Sequence, residues 1–123
     1  AKSKYMSLRL KAKFWVAAYL RQVQLSDAFA TVARHGDDDA GHIFIRVMDH
    51  DGRSGLLSAT TDIDGNRVWR VVQALTKTES NLDELLEREI KRDSDCWIID
   101  VEDRLGHHYL TEKIEGSFVS TDG

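Results

Sequence analysis

Residues 42–73 read HIFIRVMDHDGRSGLLSATTDIDGNRVWRVVQ, and this stretch decides the fold. In its first seven residues, Ile43, Ile45 and Val47 alternate with Phe44, Arg46 and Met48, which is typical of a β-strand. Asp51-Gly52 follows, and this pair favours a tight hairpin because both residues tolerate positive φ. A second strand is predicted over residues 56–61 and, after the turn Asp64-Gly65-Asn66, a third over residues 67–73. Three strands joined by short turns form an antiparallel meander.

Downstream of the meander, residues 82–92 predict a helix that packs on the sheet. Asn81 and Glu84 have the spacing of a capping box, and the leucines and the isoleucine that follow line one face. Residues 96–103 then alternate as a strand, and residues 107–111 predict another.

Upstream of the meander, residues 14–25 read FWVAAYLRQVQL. Their aromatic and β-branched content favours a strand buried on both faces, with a helix as the alternative. Ser26 then has the position of an N-cap for a helix through Val32, in which Leu25, Phe29 and Val32 share one face. The fold class predicted from all segments is α+β: a single domain with a mainly antiparallel sheet of about five or six strands and two helices.

Length and composition limit the class of protein. The chain has 123 residues, which suits one domain, and its 41% hydrophobic and 31% charged residues argue against wholesale disorder. No run approaches the roughly 20 apolar residues of a membrane-spanning helix, so we expect no membrane insertion. The single cysteine, Cys96, excludes an internal disulfide, and we therefore predict a cytoplasmic location.

Charge is distributed unevenly along the chain. Residues 1–26 contain six basic residues and no acidic one, whereas the remainder contains all 21 acidic residues. We expect residues 1–13 to form a basic arm, in which residues 1–5 are partly an expression remnant and Met6 is the natural start. Residues 14–113 would form the globular domain and residues 114–123 a flexible tail. A basic arm of this kind also suggests weak binding of nucleic acid as one alternative function.

Several classes of site are excluded by their missing motifs. The sequence has neither a Walker loop nor a dinucleotide glycine fingerprint, and we predict no cofactor. Cys96 opens an apolar strand, which indicates a core residue rather than a nucleophile. Residues 37–41 and 62–66 begin like EF-hand loops, but Met48 and Gln73 stand where the bidentate glutamate is required.

A transition-metal site remains an alternative at the acidic loop, which we define as residues 37–42. Asp37, Asp39 and His42 lie in this loop and His35 lies just before it, and they provide the ligand types that zinc and related ions use. An ion held there would activate water, which would make the protein a small metal-dependent hydrolase. The plainer interpretation is a solvated loop that ends one element and opens the next.

Four runs of the sequence together carry a resemblance to a known family. They are WVAAYLR at residues 15–21, AFA at 28–30, RHGDDDAG with IFI at 34–45, and CWIID with ED at 96–103. They resemble a family of small alphaproteobacterial proteins classed as a domain of unknown function, over about residues 6–112. The resemblance implies a bacterial cytoplasmic origin and a compact α+β fold, and it supplies no function.

If the family motif marks a ligand site, the resemblance carries over Arg21, Arg34, Asp37, Asp39 and Gly41. Arginine side chains bind carboxylate or phosphate groups in a fork geometry, so the ligand would be an anion. The alternative is that both arginines form ion pairs with Asp37 and Asp39.

The function predicted first is a non-enzymatic binding or interaction module. No catalytic constellation is visible, and aromatic strands are able to pair at a sheet edge. The partner would be another protein or a second copy of the chain. Whether the protein is an enzyme is left open by the metal-site alternative.

Overall fold

The described residues form two helices and six strands, and the strands lie in one sheet. The computed structural model describes residues 10–77 and 81–119. The elements are α1 (Ala12–Leu25), β1 (Phe29–Arg34), β2 (Ile43–Met48), β3 (Ser54–Thr61), β4 (Arg67–Thr76), α2 (Leu82–Arg92), β5 (Trp97–Glu102) and β6 (Ile114–Glu115). The strands lie in the order β1-β5-β2-β3-β4-β6. The predicted α+β class and single domain are confirmed.

The sheet is mixed. β2, β3 and β4 form the predicted antiparallel meander, and β1 pairs antiparallel with β5. β5 runs parallel to β2, and β6 runs parallel to β4. Parallel neighbours require a crossover connection, which α2 provides between the meander and β5. β5 is thereby inserted between β1 and β2.

The segment predicted first as a strand, residues 14–25, lies in α1. The residues that α1 buries are Ala12, Val16, Tyr19 and Val23, spaced by four, three and four positions as on one face of a helix. Apolar residues also occupy both the odd and the even positions of this segment, as in a strand buried on both faces. The pattern of apolar residues therefore fits a helix and a buried strand equally well. The helix that the sequence offered as the alternative is correct.

The helix predicted after Ser26 is wrong, because Ser26 ends α1 and a strand follows. Asp27 adopts a left-handed backbone with φ of 67°, which turns the chain into β1. The three apolar residues expected on the buried helix face are exposed instead: Leu25 is 78%, Phe29 73% and Val32 39% accessible. β1 therefore presents apolar side chains to solvent.

The two helices of the described residues pack on opposite faces of the sheet. α1 packs on one face, against Ile43, Ile45, Val47, Leu57, Trp69, Trp97, Ile99 and Val101. α2 packs on the other face, where Leu82 and Leu86 meet Phe44, Leu56, Cys96 and Ile98. The Asn81 side chain accepts the Glu84 N–H at 3.2 Å, as predicted for the helix cap. Cys96 is buried, and this burial raises the pKa of its thiol.

Residues 107–111 do not form the predicted strand. They cross α1 instead, where the Tyr19 hydroxyl donates to the His108 carbonyl at 2.5 Å and the Gln22 amide to the Tyr109 carbonyl at 2.9 Å. The stretch predicted as a tail from residue 114 includes β6 and the buried Phe118, while residues 120–123 lie outside the described residues. Over the described ranges, none of the helices has the length and apolar character needed to cross a membrane.

Candidate functional site

The acidic loop covers the N-terminus of α1. The Ala12 N–H donates to the Asp39 carbonyl at 3.1 Å, and the Lys13 N–H donates to the Asp38 carbonyl at 2.9 Å. The first N–H groups of a helix have no partner within the helix. α1 has neither a side-chain cap at Lys11 nor an acidic residue in its first turn. The loop supplies both missing features, because it brings carbonyl groups and negative charge to the positive end of the helix.

Asp37 forms hydrogen bonds that stabilise the loop. Its carboxylate accepts the N–H groups of Asp39 and Ala40 at 3.0 and 2.9 Å, which is the geometry of an Asx turn. Its carbonyl accepts the Trp97 indole N–H at 2.8 Å, and its own N–H donates to the Asp95 carbonyl at 2.9 Å. The first two bonds shape the loop, and the last two hold it against the start of β5.

Gly41 is buried where the loop crosses β5. A Cβ atom at this position would lie 2.5 Å from the Asp95 carbonyl oxygen and 2.7 Å from Cδ1 of Trp97. A glycine at this point is therefore explained by close packing of the backbone, without a ligand.

The two arginines carried over from the family resemblance lie apart. Arg34 donates from Nη2 to the Ser94 carbonyl at 2.8 Å. Arg21 is exposed on α1, nine residues beyond Ala12 and thus about 13 Å along the helix axis from the end that the loop covers. Asp39 forms its ion pair with Lys11, at 3.8 Å. The structure does not gather these residues into one anion site.

The two histidines among the candidate metal ligands form hydrogen bonds with different parts of the protein. His35 Nε2 lies 2.9 Å from the Asp38 carboxylate, and its ring packs on Trp97. His42 Nε2 lies 2.7 Å from the Ser58 hydroxyl. Among residues 10–77 and 81–119, no group of three His, Cys, Asp or Glu side chains is arranged to hold a metal ion. The hydrolase alternative therefore has no geometric support in this part of the chain.

His42 lines an open polar cavity of about 520 Å³ between the acidic loop and the end of β3. Burial lowers the pKa of His42 below its usual value of 6.5, although the carboxylates of Asp93 and Glu89 oppose this effect. Burial also lowers the pKa of His108. Both side chains consequently resist protonation in the folded protein more than in the unfolded chain.

This burial predicts a pH-dependent stability. The unfolded chain binds protons at these histidines below about pH 6.5, whereas the folded protein resists protonation. We therefore expect the free energy of unfolding to fall as the pH drops from about 7.5 to about 5.5, and to fall less in His42→Gln. Urea unfolding at several pH values measures this, with exposed His50→Gln as the control. Equal slopes for the wild type and His42→Gln would contradict the prediction.

The basic arm is described only from residue 10 onward. Within that part, Lys11 pairs with Asp39, and the Lys13 ammonium group lies 5.1 Å from the centre of the Phe14 ring. Residues 1–9 lie outside the described residues, so the predicted nucleic-acid function of the arm stays a prediction.

The second candidate surface is the outer edge of β1. In the described part of the chain, β1 pairs with β5 on one side and has no strand on the other. Edge strands present unpaired N–H and C=O groups, and proteins usually protect them with charges or proline. Residues 29–33 read FATVA and contain neither. The sequence did not indicate this edge because these residues were assigned to a helix; the aromatic and β-branched residues Phe29, Thr31 and Val32 were the available signal for a strand.

Comparisons with known proteins identify relatives across most of the described fold. The profile of DUF1491, described as "Protein of unknown function (DUF1491)", matches residues 10–111. A DUF1491 family protein from Caulobacter crescentus CB15, known from a crystal structure, is 41% identical over 87% of this chain and 100% of that chain, with a TM-score of 0.79. An NMR structure of a DUF1491 family protein from the same organism is also 41% identical, covers 89% and 99% of the two chains, and has a TM-score of 0.78.

A more divergent relative has the same fold. The solution structure of protein Atu0922 from A. tumefaciens is 30% identical over 89% of this chain and 100% of that chain, with a TM-score of 0.71. No curated protein matches the chain. The matched residues include α1, β1, the acidic loop and β5, where the sequence runs of the expected family lie. By profile, identity and fold, the chain belongs to the DUF1491 family, whose function is unknown.

Proposed function

We propose that this protein is a bacterial cytoplasmic, non-enzymatic interaction module that self-associates by pairing β1 of one copy with β1 of another. The observation that carries the proposal is the outer edge of β1, which no strand of the described residues pairs with, whose residues 29–33 are uncharged, and on which Phe29 is exposed. The bacterial origin is supported by relatives in Caulobacter crescentus and A. tumefaciens. The cytoplasmic location is supported by the single, buried cysteine.

Antiparallel pairing of two identical edges satisfies the free backbone groups of both copies. It produces a two-fold axis, because an interface between identical surfaces is self-complementary. Residues 29–33 carry no charge, so two copies meet without like-charge repulsion. Pairing also places the exposed Phe29 side chain beside side chains of the other copy.

The expected dimer is weak. Two five-residue segments and two phenylalanines bury less than the roughly 1,600 Å² of a standard interface. We therefore expect a dissociation constant on the order of 100 µM.

Phe29→Lys tests the proposal. The substitution places a charge at an exposed position, beside Glu102 of β5, so the fold should tolerate it. We expect at least about tenfold weaker dimerisation, measured by sedimentation equilibrium from about 10 µM to about 1 mM. Ile63→Lys is the matched control, because Ile63 is 99% exposed in the turn between β3 and β4.

Two results would contradict the proposal. One is a wild-type protein that remains monomeric over this whole concentration range. The other is a dimer that tolerates Phe29→Lys as well as it tolerates Ile63→Lys. Hydrogen exchange adds a local readout, because the amides of β1 should become more protected as the protein concentration rises.

A further inference from the structure

We infer that in this dimer the Phe29 ring of each copy occupies a groove between α2 and β1 of the other copy. The inference rests on the proposed self-association, and it specifies the register and the side chains of the contact. The groove, called here the α2–β1 groove, has a volume of about 360 Å³. Its lining includes Ala33, Leu86, Ile90 and Ile98, with Arg34, Arg46, Asp83 and Glu87 around them.

Phe29 and the groove lie on the same face of the sheet. Phe29 is opposite Glu102 in the pairing of β1 with β5, and Arg34 is opposite Ile98, which packs under α2. Glu102 and Ile98 are four residues apart on β5 and therefore point to the same side. The register of β1 shifts between Val32 and Arg34, a bulge that leaves Ala33 at the mouth of the groove.

α2 covers only one end of this face. Its Leu86 and Ile90 reach the groove, and its Asp83 carboxylate lies 2.5 Å from the Arg46 guanidinium. No helix of the described residues covers the Phe29 end, and Phe29 is 73% exposed. Each copy thus has the exposed Phe29 side chain at one end of β1 and the α2–β1 groove at the other end. A two-fold axis places the Phe29 of each copy at the groove of the other, so the same contact forms twice.

The chemistry of the face selects the register. In a dimer with a two-fold axis perpendicular to the sheet, two opposed residues must point to the same face of the sheet. Side chains alternate between the faces along a strand, so the residue numbers of each opposed pair must add up to an even number. Centring the axis on Ala30 would place Phe29 against Thr31, beside the Asp100 carboxylate that Arg46 holds at 2.8 Å. Centring it on Thr31 places Phe29 against Ala33, at the mouth of the groove.

The size of the groove fits the ring. An apolar cavity of about 150 Å³ accepts benzene in other proteins. Ala33 leaves the entrance open because its side chain is a single methyl group. The register centred on Thr31 therefore brings each phenylalanine to the apolar side chains Leu86, Ile90 and Ile98 of the groove. The register centred on Ala30 places it at the Arg46–Asp100 ion pair, away from those side chains.

Disulfide trapping tests the register directly. Opposed Cα atoms in an antiparallel pair are about 4.5–5.5 Å apart, which lies within the range that a disulfide spans. Thr31→Cys should therefore yield a covalent dimer on mild oxidation at high protein concentration. Thr60→Cys, exposed on the interior strand β3, is the control, and the native Cys96 is buried. A wild-type dimer in which Thr31→Cys crosslinks no faster than Thr60→Cys would overturn the inference.

A charge-swap pair tests the side-chain contact. Phe29→Lys and Ala33→Glu should each dimerise at least about tenfold more weakly than the wild type, and an equal mixture should regain dimers. In the mixture one contact pairs Lys with Glu and the other keeps the wild-type Phe29 and Ala33. Phe29→Lys mixed with Thr31→Glu is the control for the register centred on Ala30.

The outcomes separate the two proposals. Recovery with Ala33→Glu and not with Thr31→Glu supports the groove contact. If dimers are regained only with Thr31→Glu, or with neither variant, the groove contact is overturned. The proposed function still holds in that case, provided that the wild type dimerises. A monomeric wild type removes the proposed function itself.

Discussion

Gly41→Ala is expected to lower the free energy of unfolding by about 3 kcal/mol or more. The added Cβ would lie 2.5 Å from the Asp95 carbonyl oxygen, a backbone atom that cannot rotate away. Relief of this clash requires the loop to lift from β5, which breaks the bond from the Trp97 indole to the Asp37 carbonyl. The loop would then also withdraw the carbonyl groups that cap α1. Urea unfolding measures the change.

Gly52→Ala provides the control for Gly41. Gly52 has a φ of 83°, and a Cβ there meets no atom within 4 Å. Its substitution should cost only the roughly 1–2 kcal/mol of a left-handed backbone. If Gly41→Ala were no more destabilising than Gly52→Ala, close packing would not explain Gly41, and its assignment to a ligand site would regain support.

Glu112→Ala is expected to destabilise the protein by about 2–4 kcal/mol. The Glu112 carboxylate accepts two indole N–H groups, from Trp69 at 2.8 Å and from Trp15 at 3.2 Å. Trp69 is fully buried, and Trp15 stacks on Tyr19 with ring centres 4.9 Å apart. A buried donor that loses its acceptor costs about 1–3 kcal/mol, and here two donors share one acceptor group.

The loss should extend beyond the two bonds. Glu112 ties the segment of residues 107–113 to β4 and α1, the helix that this segment crosses. Thermal or urea unfolding measures the effect, with Glu115→Ala as the control because Glu115 is exposed on β6. A destabilisation by Glu112→Ala that matches that of Glu115→Ala would contradict this prediction. The destabilisation by Glu112→Gln should lie between those of Glu112→Ala and Glu115→Ala, because glutamine keeps one acceptor oxygen.

The meander and α2 are predictable from sequence because their signals are local. The turns Asp51-Gly52 and Asp64-Gly65-Asn66 fix where the strands end, and Gly52 and Gly65 have the positive φ that such turns require. Asn81 caps α2 through a bond between residues three positions apart. These features depend on neighbours in the chain, so the sequence shows them directly.

α1 and β1 were exchanged in the prediction because their determinants are distant in the chain. The start of α1 is capped by carbonyls of Asp38 and Asp39, more than 20 residues away, and no capping residue marks it in the sequence. Ser26 resembles an N-cap but ends a helix. The same distance hides the role of the acidic loop, whose charges serve α1.

The sequence by itself determined the fold class, the meander, the capped helix α2, the burial of Cys96 and the family, because each depends on local periodicity, turn residues or ordered motifs. Only the tertiary structure decided that β5 lies between β1 and β2, that the acidic loop caps α1, and that Phe29 is exposed on β1. Strand order and surface exposure depend on which segments meet in space. A residue such as Phe29 has the same apolar character whether a neighbour covers it or not, so its exposure is decided by packing alone.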